Sequence, residues 1–176
     1  ILELVDLPDT PERSASAIGA VVRSVGRGGG REQARRQELR RAAELQERVF
    51  HLLADSPEGV RQHADLLAAL ATGLFLAGQG EEARETLQRA MVLDPELKYD
   101  RKRFPPQMKK LFFEVHFLVD ELGTGGLHIR TRPPRAEVRI NGKLAGYSPV
   151  TNQGLTAGPN LVTLTRVGYR TKTVRL

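Results

Sequence analysis

Two hydrophobic rhythms divide this chain. Up to about residue 120 the apolar positions recur at three- and four-residue spacing, the period of amphipathic helices; from residue 127 they alternate with polar ones, the period of half-buried strands.

In the first part, the spacing predicts a helix from Arg31 to about Ala54, opening with the charged "REQARRQELRR" and carrying Leu45, Val49, Leu52 and Leu53 on one face. "DSPEG" stops it, and Ser56 followed by Pro57 reads as the cap and first residue of the next helix. That helix runs to about Ala77, where "GQG" ends it, and "EEARETLQRAMVLDP" forms its partner. After a Pro-Pro corner in "DRKRFPPQ", a last helix over 106–119 carries Met108, Leu111, Phe112, Val115 and Leu118 in register. Upstream, residues 1–30 read as an arm and a linker. Leu2 and Leu4 alternate as in a short strand or extended segment, Thr10 and Pro11 open a helix with Ile18, Val21 and Val25 on its apolar face, and "GRGGG" is too glycine-rich for any helix.

In the second part, Leu127, Ile129 and Thr131 alternate with His128, Arg130 and Arg132, and Ala136, Val138 and Ile140 alternate with Glu137 and Arg139. Leu161–Thr165 and Thr171–Leu176 supply two more strands. Asn141-Gly142 tolerates positive φ at both positions and suits a two-residue type I′ hairpin turn. Gly146 with Pro149, and Gly158 with Pro159, frame two further corners. Gly168-Tyr169 reads as a bend whose ring covers the core while its hydroxyl stays near water.

Residues 64–97, "ADLLAALATGLFLAGQGEEARETLQRAMVLDPEL", resemble one tetratricopeptide repeat of 34 residues, with Leu67, Leu70, Ala71 and Leu74 at first-helix packing positions and Ala83, Leu87, Ala90 and Pro95 at second-helix positions. A single repeat cannot bury its own apolar face, so the helices at 31–54 and 106–119 are its natural covers. Residues 125–176, "GLHIRTRPPRAEVRINGKLAGYSPV" and then "LTAGPNLVTLTRVGYRTKTVRL", resemble a PEGA domain through the ordered set Pro134, Ala136, Gly142, Gly146, Pro149, Gly158, Gly168 and Tyr169. Pro134-Arg135-Ala136 stands where that family has its naming motif. The expected fold is α+β: an arm and linker over 1–30, a helical tetratricopeptide-like module over 31–123, and a small antiparallel β-sandwich over 125–176. The PEGA resemblance implies a bacterial cell-envelope setting, periplasmic or surface-exposed, and a non-enzymatic scaffold or adaptor role in a multi-protein complex. The start at Ile1 suits a processed product from which a signal has been removed.

Composition narrows the chemistry. Hydrophobic residues make up 40% of the 176, enough for one full core or two small ones, and no run approaches the length of a membrane-spanning helix. With no Cys, disulfides, thiolate metal sites and a cysteine nucleophile are excluded within this chain. The net charge of +6 is uneven: residues 125–176 hold 9 Lys or Arg against the single Glu137, or +8, which leaves 18 against 20, or −2, for residues 1–124. Such a field attracts anionic partners.

Candidate catalytic and metal sites are not legible. "GRGGGR" lacks the preceding strand and the Lys-Ser or Lys-Thr ending of a phosphate loop. His51, His63, His116 and His128 have no paired zinc-ligand spacing, and Glu81-Glu82 suits a helix start. No cofactor and no catalysis are therefore expected. The partner-binding candidates are Arg130, Arg132, Arg135, Arg139, Lys143, Arg166 and Arg170, the basic stripe of the β segment. The helical module would bind protein, and the stripe would anchor the chain to an envelope partner, a cell-wall polymer or a lipid headgroup. The alternative is an anionic-polymer module for nucleic acid or a membrane surface, although the stripe lacks interleaved aromatics for stacking bases.

Overall fold

A computed structural model describes residues 32–176; the predicted arm and linker over 1–30 lie outside the described residues. Among the described residues four α-helices come first: α1 (Glu32–Leu53), α2 (Pro57–Leu76), α3 (Gly80–Leu93) and, after a short 3-10 turn at Pro106–Met108, α4 (Lys109–Glu121). Six strands follow: β1 (Thr124–Ile129), β2 (Glu137–Ile140), β3 (Lys143–Tyr147), β4 (Val150–Thr156), β5 (Leu161–Thr165) and β6 (Lys172–Arg175).

The helix boundaries follow local chemistry. Ser56 sits in extended conformation and its Oγ accepts from Gly59 N at 3.0 Å, with Pro57 in the first turn, as expected of an N-cap. Gly59 has a second duty: a Cβ there would overlap the Leu53 carbonyl oxygen and lie 2.9 Å from its carbon, so only glycine lets α2 start this close to the end of α1. α2 and α3 pack with Ala64, Ala71, Ala83 and Ala90 fully buried, the small side chains that permit close approach. The segment after α3 then crosses α2. Arg103 pairs with Asp65 at 2.6 Å, and the Thr72 hydroxyl donates to the Met108 sulfur at 3.6 Å. Tyr99, Phe104 and Phe112 form one aromatic cluster, with centroids 5.0–5.9 Å apart.

Two expected helix faces are corrected. After Met108, buried in the 3-10 turn, α4 buries Leu111, Phe112, Val115 and Val119, while Leu118 is exposed. At 100° per residue, position 119 returns to the azimuth of 108 and position 118 falls on its flank. On α1 the buried stripe is Leu39, Ala42, Gln46 and Leu53, with Leu45 and Leu52 half-buried beside it; the Val49 side chain lies outside the described residues.

The strands form two antiparallel sheets, a pair β1-β4 and a four-stranded β3-β2-β5-β6. β3 and β4 are additions to the four predicted strands. Their residues include two glycines, Gly146 and Gly154, and a mixed pattern that reads as turns and corners. Register explains the irregularity: Ala145 is an extra residue opposite Val138–Arg139, and Gly154 (φ +76°) is an extra residue opposite Gly125–Gly126. Asn141 and Gly142, at φ 47° and 75°, make the predicted two-residue hairpin loop between paired Ile140 and Lys143. Val138, Ile140 and Val162 form a small core with Leu127, Ile129, Val150 and Leu155 of the other sheet packed against it.

The helices and strands are joined through one end of the β region. Leu161, 1% exposed, belongs to the helical core. The Thr163 hydroxyl donates to the Ala54 carbonyl at 3.2 Å, and the Arg175 guanidinium lies 5.1 Å from the Phe50 ring centroid. Gly142 abuts the backbone of Ser56 and Pro57, and Gly158 meets Val92.

Candidate functional site

Strand register sorts the seven predicted arginines and lysines by the end of the β region they occupy. Ile129 pairs with Val150, Glu137 with Tyr147 and Thr165, and Leu164 with Lys172. Residues 130–136, 148–149 and 166–171 therefore all leave the sheets at the end opposite the helices. Hydrogen bonds tie these loops together. The Thr131 hydroxyl meets the Ser148 hydroxyl and donates to the Pro133 carbonyl at 2.7 Å, Arg135 N donates to the Ser148 carbonyl at 2.8 Å, and Arg166 donates to the Pro134 carbonyl.

This distal end gathers Arg130, Arg132, Arg135, Arg166 and Arg170. Arg130 Nε donates to His128 Nε2 at 2.9 Å, and the Arg166 guanidinium stands 5.7 Å from the Tyr169 ring centroid. Arg132, Arg135 and Arg170 are exposed and form no ion pair among the described residues. Tyr169 is 61% exposed, so it does not cover the core as predicted; its ring is held beside Arg166 on the surface. With exposed Tyr147 and Val167, it gives the arginine cluster an aromatic and apolar fringe drawn from the end of β3 and the β5–β6 loop.

The other two candidates stand elsewhere. Arg139 Nε donates to Glu137 Oε1 at 2.8 Å and its Nη1 to the Gly142 carbonyl at 3.3 Å, so its charge is matched and its side chain fastens the hairpin. Lys143 belongs to the helix-facing end, in a cleft shared with Pro57, Val60, Asp94 and Glu96. The stripe expected from the sequence is thus a cluster of five plus two separated positions.

A second basic feature escaped the sequence reading. Residues 97–110, "LKYDRKRFPPQMKK", hold six Lys or Arg against Asp100, a local +5 hidden inside a region whose total is −2. Asp100 caps its own turn, accepting from Lys102 N at 2.9 Å. Arg103 is engaged by Asp65, and Lys110 lies 3.6 Å from Glu114. Lys98, Arg101, Lys102 and Lys109 remain around a cleft of about 720 Å³ with Tyr99, Phe112 and Phe113 in its wall. Phe113 is 52% exposed, and Phe117, one turn further along α4, is 64% exposed. A charge count in a 14-residue window would have found the cations; their union with the aromatic wall required the fold.

Among the described residues no group of three or more His, Asp or Glu side chains is placed to hold a metal ion, and no helix is long and apolar enough to cross a membrane. His116 Nδ1 lies 2.9 Å from Asp120 Oδ2 on the α4 surface, and His63 is buried beside Phe50. No curated protein and no solved structure matches the chain. Residues 124–176, the segment that contains all six strands, match the family model of the PEGA domain.

Proposed function

We propose that this chain is a non-enzymatic adaptor of a bacterial cell-envelope assembly, with the helices as a protein-binding module and the PEGA-like region as an anchor whose contact surface is the distal arginine end. One observation carries the reading. The β region is docked on the helices through Gly142, Leu161 and Thr163, while the opposite end presents Arg130, Arg132, Arg135, Arg166 and Arg170, none of them in an ion pair among the described residues, where the nearby Glu137 is engaged by Arg139. A module fixed at one end and charged at the other is suited to join two bodies.

The tetratricopeptide-like reading of residues 64–97 is supported by the antiparallel pair α2 and α3, with Leu67, Ala83, Leu87 and Ala90 at 0% exposure. The sandwich reading is supported by the side chains of the β1-β4 pair packing on Val138, Ile140 and Val162 of the larger sheet. The anionic-polymer alternative gains from Tyr147 and Tyr169, exposed beside the arginines, since exposed aromatics are groups on which bases stack.

The test compares the full chain with Arg132→Glu/Arg135→Glu/Arg170→Glu, using envelope fractions, duplex DNA and anionic vesicles. The adaptor reading expects the wild-type chain to retain an envelope protein that the triple variant loses, and it is abandoned if the wild type retains nothing above background. If all five arginines engage phosphates, DNA binding falls with a log–log salt slope of about −4.5. That result, without protein retention, would favour the polymer reading.

A further inference from the structure

The cleft beside Tyr99 is fixed by the turn that forms its rim. The Asp100 carbonyl accepts from Arg103 N at 3.0 Å and Phe104 N at 2.8 Å, and Arg103 fastens the turn to Asp65 of α2. The Tyr99 hydroxyl donates to the Pro105 carbonyl at 3.4 Å, and its ring centroid lies 5.9 Å from that of Phe104, 5.6 Å from Phe112 and 6.0 Å from Phe113. A seat held this way loses little freedom when it is filled, so more of the contact energy is left for affinity.

Its two surfaces ask for different chemistry. The rim carries Lys98, Arg101, Lys102 and Lys109, all exposed and none in an ion pair among the described residues; the carboxylate between them, Asp100, accepts from Lys102 N at 2.9 Å. The wall is aromatic, and exposed Phe113 is followed by exposed Phe117 about 6 Å further along α4. Water solvates the cations well and the rings poorly. An occupant therefore gains most by covering the rings with an apolar group while holding anions against the rim.

The charges around Phe117 choose the class of occupant. Asp120 and Glu121 are exposed three and four residues beyond it, on the same side of α4. An anionic bilayer laid on Phe113 and Phe117 would bring its headgroups against these carboxylates, and a nucleic acid, charged at every nucleotide, would meet the same repulsion. A peptide can place carboxylates on the rim and an apolar side chain on the rings, and leave the stretch beside Asp120 and Glu121 uncharged. We propose that the cleft is the docking site for an acidic segment of a partner protein, with Asp or Glu side chains on Lys98, Arg101, Lys102 and Lys109 and one Phe or Leu seated against Tyr99 and Phe113. This rests on the reading of the helices as a protein-binding module, and gives that module a location and a ligand chemistry. The distal arginine loops, at the end opposite the helices, take no part in it.

The test titrates the isotope-labelled full chain with a short synthetic peptide that alternates Asp or Glu with Phe and Leu. Two controls accompany it: one keeps the acids and replaces Phe and Leu with Ser, the other keeps Phe and Leu and replaces the acids with Asn and Gln. The first peptide should shift the amide signals of residues 97–102 and 109–117, and each control should bind at least about tenfold more weakly. Arg101→Glu/Lys102→Glu, at two exposed positions, should weaken the first peptide about tenfold and leave the urea transition unchanged. Phe113→Ala should weaken it as well; it is read beside the charge reversal because it also loses packing against Tyr99 and Phe112. Unmoved cleft signals would overturn the proposal, as would a Ser control that binds as tightly as the first peptide, or binding that survives the charge reversal. Anionic vesicles or duplex DNA that displace the peptide and shift the same amides would overturn it too, by assigning the cleft to a lipid surface or a nucleic acid. The adaptor reading fails separately: a wild-type chain that retains no envelope protein yet binds the peptide at the cleft supports the site and removes its envelope setting, whereas retention with an unmoved cleft overturns the site alone.

Discussion

Gly142→Ala should be the most informative single substitution in this protein, because it tests whether the Asn-Gly turn only reverses the chain or also docks the strands on the helices. The glycine lies at φ +75°, where an L side chain strains its own backbone by about 1–2 kcal/mol. A Cβ there would also overlap the carbonyl of Ser56 and lie 2.5 Å from Pro57 N. These are backbone atoms at the capped start of α2, so no rotamer change relieves the overlap, and the hairpin must lift. Lifting it withdraws Leu161 from the helical core, worth roughly 1.5–3 kcal/mol for a fully buried leucine, and breaks the Thr163–Ala54 hydrogen bond, worth about 1 kcal/mol. The expected loss is therefore about 3.5–6 kcal/mol. Gly168→Ala is the matched control: φ is +83°, but nothing lies within 4 Å of the added Cβ, so it should cost the backbone strain alone. Urea unfolding of both variants reads the difference. Gly142→Ala should lose about 2.5–4 kcal/mol more than Gly168→Ala and should show a lower m-value or a split transition if the two regions unfold separately. Equal losses and a single unchanged transition would refute the docking argument.

Other consequences follow from single contacts. Ser56→Ala removes the side-chain acceptor of Gly59 N and should cost about 1 kcal/mol in the same urea assay, with faster amide exchange at Gly59; Ser56→Gly should cost less. Asn160→Ala should cost about 2–3 kcal/mol, because its amide donates to Thr156 O and Gly158 O at 3.0 and 2.9 Å and its carbonyl accepts from Asn141 at 2.8 Å; unchanged stability would show that water replaces all three.

The coarse architecture was legible because it rests on local patterns. The period change near residue 124, the Ser56-Pro57 start and the Asn141-Gly142 turn each follow from neighbours in sequence, and each appears where the pattern puts it. β3 and β4 were not legible, because their bulges at Ala145 and Gly154 break the alternation that marks a strand. Leu118 and Val119 exchanged roles for a similar reason: adjacent apolar residues on a helix leave the buried one undetermined until a neighbour covers that azimuth.

The sequence by itself determined the helices and four of the six strands, the Asn141-Gly142 turn, the absence of thiol chemistry and the concentration of positive charge in the last third. Only the tertiary structure decided which charges act together. Arg139 and Arg135 are four residues apart on one chain, yet one is fastened to Glu137 and the other stands free at the distal end. Tertiary structure also gave Gly142 its second role, since the atoms that require a missing Cβ belong to Ser56 and Pro57, over eighty residues earlier. Turns depend on backbone dihedrals that neighbouring residues set, whereas docking and charge pairing depend on atoms that only folding brings together.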